Sequence, residues 1–471
     1  MLFIPELLLL IGSLVLFGVS LGEDKAKTAH NVALGLSAVV SLLCLATLGQ
    51  KGSLFFDAYS IDLFSQLFKL GIALGMMAVI IFGSQLKGIT VKMKPEYYLF
   101  MVLSSLGLMM LVSSVELLSL FVALELSSYA LYLMVPMRDD HSGVRIQMEA
   151  AIKYILFGVV ATGTMLYGMS YIYGLTGTTY MNVLVPKMHE LAGNPTAMLA
   201  IALFMSGFFY KLAVFPFHFW VPDVYQGASN ATTAFIASVP KLGAVALLIR
   251  ITTLVAPDAG ESIVMLLMVC AVCSMFYGNL SALVQTDVKR MLGFSGIAHA
   301  GFVLLGLLTL DTVGFATSMY YISGYLFMNL ACFLVICSVS QNGENVSIDD
   351  LSGLYKRAPL LALTLLVGMM ALAGIPPFVG FMGKFMLLTG ALKAGHLTLV
   401  ILAALNTAIA IYYYLSVVRV AFTKAPEGRP DVSVDVLTRV VSVALIVIII
   451  VMGVVPKPIL SLATSAVKSI L

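Results

Sequence analysis

The chain has 471 residues, 61% of them hydrophobic and 10% charged, with a formal net charge of +3. A soluble domain is about a quarter charged, so this composition excludes a single soluble core and makes lipid the solvent for most of the surface. No basic tract interleaved with aromatic residues points to nucleic acid.

A membrane-crossing helix takes about 20 mostly apolar residues. Runs of that kind occupy 2–21, 30–48, 61–83, 96–113, 115–136, 149–175, 196–217, 228–253, 262–285, 289–309, 313–340, 359–393, 396–422 and 437–456. They predict an all-α polytopic membrane protein with about fourteen transmembrane helices. The runs are continuous rather than alternating, which argues against a β-barrel. The first run lacks the basic start and small-residue cleavage motif of a signal peptide and reads as a permanent span. The polar stretches 341–358 and 423–436 are loop-sized, so residues 1–471 read as a single membrane domain.

Two spans contain prolines that must break them. Pro216 closes the run that carries Lys211, and Ala373-Gly374-Ile375-Pro376-Pro377 interrupts the run 359–393. Proline removes a backbone donor and clashes with the preceding turn. Paired broken helices in two halves of a transporter point to inverted repeats with a site near the midplane. A first repeat over 96–253 (helices 4–8) and a second over 262–422 (helices 9–13) would each hold five spans, with the break in the fourth. Helices 1–3 within residues 1–95 precede them, and helix 14 at 437–456 follows.

Lys and Arg set the expected orientation. With the N-terminus outside, the inner loops and helix ends hold Lys25, Lys27, Lys87, Lys92, Lys94, Arg138, Arg145, Lys289, Arg290, Lys356, Arg357, Arg419, Lys424, Arg429 and Arg439. The outer side holds Lys51, Lys187, Lys393, Lys457 and Lys468. Both termini are therefore expected on the non-cytoplasmic side.

Charges within a span cost about 3 kcal/mol each on insertion scales, so each needs a reason. Glu125 lies near the centre of its helix and serves either as a contact between helices or as a proton-relay carboxylate. Lys211 precedes the first break, Lys241 is mid-helix, and Lys384 follows the second break as the counterpart of Lys211. Loss of hydration destabilises a buried ammonium, and a movable carboxylate partner would switch it between holding and releasing a proton. Snorkelling to the interface is the plainer reading for Lys211 but a poor one for Lys241, which is far from either helix end. His299 is mid-span among small residues; the row of other ionisable groups favours a relay over a core histidine.

Other groups are less telling. Lys69 and Glu116 fit relay or edge roles equally, and Glu149 and Lys153 form an i,i+4 pair. His218 and Asp223 sit by the first break and are candidates for an inner access path. Asp287, Lys289 and Arg290 read as an inner-surface cluster, and Arg250 as snorkelling. Cys270 and Cys273 form a C-x-x-C inside an apolar run with no nearby His or further Cys, which reads as packing rather than redox or metal chemistry. No ligand set for iron–sulfur, haem or zinc is visible, so no cofactor or metal is expected in this chain.

Five stretches carry a family resemblance: Phe55-Phe-Asp-Ala-Tyr-Ser-Ile-Asp-Leu-Phe64; Leu124-Glu125-Leu-Ser-Ser-Tyr-Ala-Leu-Tyr132; Tyr210-Lys211-Leu-Ala-Val-Phe-Pro-Phe-His-Phe-Trp-Val-Pro-Asp-Val-Tyr-Gln-Gly227; Thr286-Asp-Val-Lys-Arg-Met-Leu-Gly-Phe-Ser-Gly-Ile-Ala-His299; and Gly374-Ile-Pro-Pro-Phe-Val-Gly-Phe-Met-Gly-Lys384-Phe. Together they resemble the antiporter-like subunits of respiratory complex I over nearly the whole chain. The resemblance implies fourteen transmembrane helices in two inverted five-helix repeats, with helices 7 and 12 broken. It puts the family's relay residues on Glu125, Lys211, Lys241, His299 and Lys384. Where the family commonly has Pro after Gln226-Gly-Ala228, this chain has Ser229, which is expected to relax the turn into the next helix.

The resemblance implies a proton-translocating membrane subunit of a bacterial complex I. Its partners would be the other membrane and peripheral subunits and lipid, with quinone bound elsewhere in the assembly. A subunit of the related multisubunit cation/proton antiporter is the competing expectation. A purely structural assembly subunit, whose charges only pair helices, is the third.

Overall fold

A computed structural model describes residues 2–22, 25–139, 145–257, 260–425 and 428–471. Its helices are α1 (Ile4–Ser20), α2 (Ala26–Ala46), α3 (Leu63–Phe82), α4 (Lys94–Ser113), α5 (Leu117–Met134), α6 (Ile146–Thr176), α7 (Met181–Glu190), α8 (Pro195–Leu212), α9 (Trp220–Gly227) and α10 (Asn230–Thr252). They continue as α11 (Glu261–Ala282), α12 (Val288–Leu307), α13 (Thr312–Val339), α14 (Leu354–Arg357), α15 (Pro359–Ala373), α16 (Val379–Lys393), α17 (Leu397–Thr423), α18 (Val436–Val454) and α19 (Pro456–Lys468). Between α2 and α3, β1 (Gly52–Leu54) and β2 (Tyr59–Ile61) form a small antiparallel hairpin.

Twelve helices among the described residues are long and apolar enough to cross a membrane. The shorter α1 and the broken pair α15/α16 complete the fourteen expected crossings. Sequence reading missed the hairpin, the short helices α9 and α14, and two longer helices, α7 and α19. All four are shorter than a span and mixed in polarity, so a search for 20-residue apolar runs passes over them.

Polar caps start many of these helices. Asp62 accepts from Ser65 N at 2.6 Å while Ser65 Oγ accepts from Asp62 N, which is a capping box at the head of α3. Asp287, Asp311 and Asp435 cap α12, α13 and α18 with a side-chain oxygen on the N3 N–H. Glu116 accepts from Ser119 N at 2.7 Å and caps α5, which makes it an edge residue. Ser229 accepts from Thr232 N and caps α10.

Both spans expected to break do so. Helix α8 ends at Ala213 (φ +70) and α15 at Gly374 (φ +84), each in the left-handed conformation that closes a helix. The Phe215–Pro216 and Pro376–Pro377 peptides are cis.

Chain alternation gives the repeats opposite orientations. Leu2 packs on Gly52, Phe3 stacks edge-on against Phe55 and Tyr59, and Leu471 shares a cavity with Asp62 and Arg250. Both termini thus lie on one face. Helix α4 starts from the opposite face, whereas α11 starts from the termini's own face.

The most enclosed helices are α10 and α12, buried along nearly their whole length. At the face opposite the termini, Arg138 Nη1 donates to the carbonyls of Gln226 (2.8 Å), Gly227 and Ala228, and its Nη2 to Gly343. Lys289 Nζ, near the start of α12, donates to the same Ala228 carbonyl at 2.8 Å. Lys289 is fully buried, which corrects its reading as part of a surface cluster. Cations gather there because the last carbonyls of α9 are unpaired acceptors at a negative helix end.

Candidate functional site: a buried row of ionisable side chains

Lys211 sits in the last turn of α8, just before the break. Its Nζ donates to Ser127 Oγ (3.0 Å) and Ser128 Oγ (3.2 Å) of α5. Glu125 is on the same helix, three residues before Ser128, and so shares its face. Its Oε1 accepts from Thr162 Oγ1 of α6 at 2.9 Å. Among the described residues no ion pair joins Glu125 to Lys211.

Lys241 is at the middle of α10. Its Nζ donates to Gly296 O and Tyr325 OH, both at 3.2 Å, and lies 5.0 Å over the Tyr325 ring. Gly296 leaves room for the ammonium: a Cβ there would stand 2.7 Å from Lys241 Nζ and push it aside. One turn along α12, His299 Nδ1 bonds Tyr321 OH at 2.6 Å and Nε2 bonds Tyr414 OH at 3.1 Å. Tyr414 OH in turn bonds Ser295 Oγ. The Tyr325 and His299 rings lie 5.0 Å apart, so Lys241, Tyr325 and His299 are contiguous.

Lys384 lies on α16, after the break. It folds back to donate to the carbonyls of Leu372 (3.0 Å) and Ala373 (3.2 Å), in the last turn of α15. The Phe302 ring lies 4.9 Å beneath it. Lys384 is thus a counterpart of Lys211 by place but not by register, since the two lysines stand on opposite sides of their breaks. Both meet the C-terminal end of a half-helix, where carbonyls are free and the helix dipole is negative.

All five residues are buried, none more than 9% exposed. None is turned to lipid or to the membrane surface. Hydroxyls both donate and accept, so hydrogen bonds can be handed from Lys241 to Tyr325 and among Tyr321, His299, Tyr414 and Ser295, the two groups meeting through the Tyr325–His299 ring contact. Between Lys211 and Lys241 no side-chain hydrogen bond is described, although α8 and α10 pack directly on each other.

The other candidates sort differently. His218 is fully buried in an aromatic cage of Phe215, Phe219 and Tyr277, with ring centroids 4.3–5.3 Å away. Asp223 bridges Lys153 (2.6 Å) and Arg290 (2.8 Å), and Lys153 also meets Glu149 as its spacing predicts. Arg250 does not snorkel: it is buried, pairs with Asp62 at 2.8 Å, and lies over the Phe64 ring. Lys69 pairs with Glu6, a residue that sequence reading passed over. Cys270 is buried and Cys273 half-buried on α11. Among the described residues no cluster of three or more His, Cys, Asp or Glu could hold a metal.

Sequence reasoning also missed Ser127, Ser128, Thr162, Tyr321, Tyr325 and Tyr414. A usable signal exists: a buried Lys or His must have partners, and hydroxyls inside apolar runs are the candidates, although which of them meet depends on helices distant in sequence.

A family model described as the transmembrane region of NADH:quinone oxidoreductases and Mrp antiporters matches residues 114–410. The chain belongs to this family. The matched region spans Glu125, Lys211, Lys241, His299 and Lys384 and both breaks. NADH-quinone oxidoreductase subunit N 2 of Opitutus terrae is 52% identical over 469 residues, covering 99% of this chain and 98% of that protein. The subunit N 2 of Solidesulfovibrio magneticus is 45% identical over 469 residues, covering 98% and 97%. A chain of respiratory complex I from Thermus thermophilus superposes with a TM-score of 0.83 at 31% identity, covering 98% and 99%. A chain of the Mrp complex from a Dietzia species reaches 0.88 at 20% identity, covering 99% and 97%, and so shares the fold of this antiporter-like family.

Proposed function

We infer that this chain is the N-type, proton-translocating membrane subunit of a bacterial NADH:quinone oxidoreductase, respiratory complex I. It assembles with the other membrane and peripheral subunits and works as a multi-pass protein of the inner membrane. One observation carries the mechanism: the five buried ionisable side chains run across the helix bundle, from Glu125 beside the first break to Lys384 at the second. Charges at such depth are tolerated only where partners and internal water replace hydration.

In this reading Glu125 and Lys211 form the switch. The serine hydroxyls on Lys211 accept from an ammonium or donate to an amine, so either protonation state of the lysine keeps its partners. A proton released by Lys211 reaches Lys241 through water, since among the described residues no side-chain hydrogen bond spans that interval. It then passes along the tyrosine-lined stretch to His299 and Lys384. Quinone reduction elsewhere in the assembly drives the cycle, and this chain binds no flavin, nicotinamide, iron–sulfur cluster or metal. The repeats are 96–253 and 262–422, flanked by 1–95 and 437–456. The excess of Lys and Arg opposite the termini supports placing both termini on the non-cytoplasmic side.

The test is Glu125→Gln and Lys211→Ala in the assembled enzyme. Lowered protons per quinone reduced, with electron transfer retained, is the expected result. Wild-type proton stoichiometry in both variants would refute these roles. The competing reading, a subunit of a cation/proton antiporter, is favoured if the purified complex exchanges Na⁺ for H⁺ and reduces no quinone. Variants that impair assembly but never pumping would favour the structural reading.

A further inference from the structure

A second group of buried charges lies away from the central row, where α1, α3, α4 and α10 meet the hairpin. Glu6 Oε1 accepts from Lys69 Nζ at 2.7 Å and from Tyr59 OH at 2.7 Å. Lys69 also lies 5.0 Å over the Tyr59 ring. Both members of the pair are essentially inaccessible, at 0% and 1%. The other titratable groups around the pair are Tyr59 and the Cys44 thiol of α2. A buried ion pair with this much desolvation is weak evidence for stability, and the central row makes no use of it.

Four nearby buried polar atoms have no hydrogen-bond partner: Glu6 Oε2, Gln66 Oε1, Ser113 Oγ and Arg250 Nε. They are not scattered. Ser113 adjoins Val112, whose carbonyl accepts from Arg250 Nη2, and Ser114, which bridges to Tyr59. On α3, at about 100° per residue, Gln66 lies about 40° from Asp62 and Lys69 about 20° from it. Asp62, Gln66 and Lys69 therefore form one polar stripe along the helix. The stripe begins at the Asp62–Arg250 pair, which lines an open cavity of about 570 Å³ on the face that carries both termini. Orphaned polar atoms so grouped are where internal water sits in proteins.

We propose that Glu6 and Lys69 form a second proton-holding site, watered from the termini's face along Asp62, Gln66 and Arg250. The free Glu6 Oε2 takes a proton from that water. The carboxyl is then neutral, Lys69 loses its counter-charge, and its ammonium passes a proton to the water along the Gln66 stripe. Return of a proton to Lys69 and loss of one from Glu6 resets the pair. This rests on the proton-moving role above and adds to it a site that the two repeats do not contain.

The test uses the assembled complex in vesicles, with protons counted per quinone reduced and infrared difference spectra taken during turnover. The Glu6→Gln, Lys69→Met double variant is expected to lower the proton count and Glu6→Gln to remove one carboxyl band. Gln66→Leu leaves the pair intact and closes the watered stripe, so it is expected to lower the count as well. It also decides the matter if the double variant does not assemble. An unchanged count in either assembled variant overturns the proposal, even with the band lost, because the pair would then titrate without serving transport. If Glu125→Gln lowers the count while Gln66→Leu does not, only this second site falls.

Discussion

The two broken helices hold their lysines by different means. At the first break Lys211 is on the half-helix that ends there, and its acceptors are the hydroxyls of Ser127 and Ser128 on a neighbouring helix. At the second, Lys384 is on the half-helix that begins there, and its acceptors are the Leu372 and Ala373 carbonyls of the same broken span. Hydroxyls rotate and can donate; carbonyls are fixed and only accept. The first lysine is set by side chains that can be rearranged, with Glu125 close by. The second is set by backbone, with the Phe302 ring beneath it. The first arrangement suits a switch, and the second suits a receiving station of constant character.

The largest effects should come from deleting the lysines themselves. Lys211→Met and Lys384→Met are both expected to stop most proton transfer in a vesicle assay, but to differ in stability. Loss of Lys384 strands buried carbonyls, at about 1–3 kcal/mol. Loss of Lys211 leaves serines that already bond within α5 and to α4, through Leu124 O and Ser104. Thermal unfolding of the two assembled variants checks this; equal destabilisation would erase the proposed difference.

Next in size is Gly380→Ala. Its Cβ would collide with the Ala371 carbonyl oxygen and push the two halves of the second break apart. Overpacking costs about 1–3 kcal/mol, and a reduced yield of assembled complex is the readout. A smaller effect is expected from Ser127→Ala combined with Ser128→Ala. This keeps Lys211 and removes its rotating partners, so proton transfer should slow without a loss of assembly. The same rate as wild type would mean that Glu125 alone governs the first lysine.

The smallest effect concerns how the breaks are closed. Gly374 adopts its positive φ freely, whereas Ala213 holds φ +70 against its own Cβ. The left-handed conformation costs an L-residue about 1 kcal/mol or more. Ala213→Gly is expected to raise the unfolding temperature slightly and leave pumping intact, the added chain entropy offsetting part of the gain.

Much of this was legible in the sequence, because hydrocarbon imposes one-dimensional rules. Apolar length counted the spans, Pro216 and Pro376-Pro377 marked the breaks, and isolated charges in apolar runs stood out. What stayed hidden depends on partners distant in the chain. Arg250 looked like a snorkelling residue until Asp62, 188 positions away, was seen against it. Glu6 escaped notice because it sits one turn from a helix start, where an acid is ordinary. Tyr321, Tyr325 and Tyr414 look like packing aromatics until His299 and Lys241 are found to require their hydroxyls. Helices α7 and α19 escaped because no apolar run announces them.

The clasp of Arg138 and Lys289 around the end of α9 has a mechanical consequence. Arg138 follows α5, the helix of Glu125, while Lys289 opens α12, the helix of His299; both grip the Ala228 carbonyl. A rigid helix transmits a push along its axis, and packed interiors yield in steps rather than smoothly. Any tilt of α9 would therefore tug both helices at once, like a yoke on two shafts, and would keep the halves of the molecule in phase.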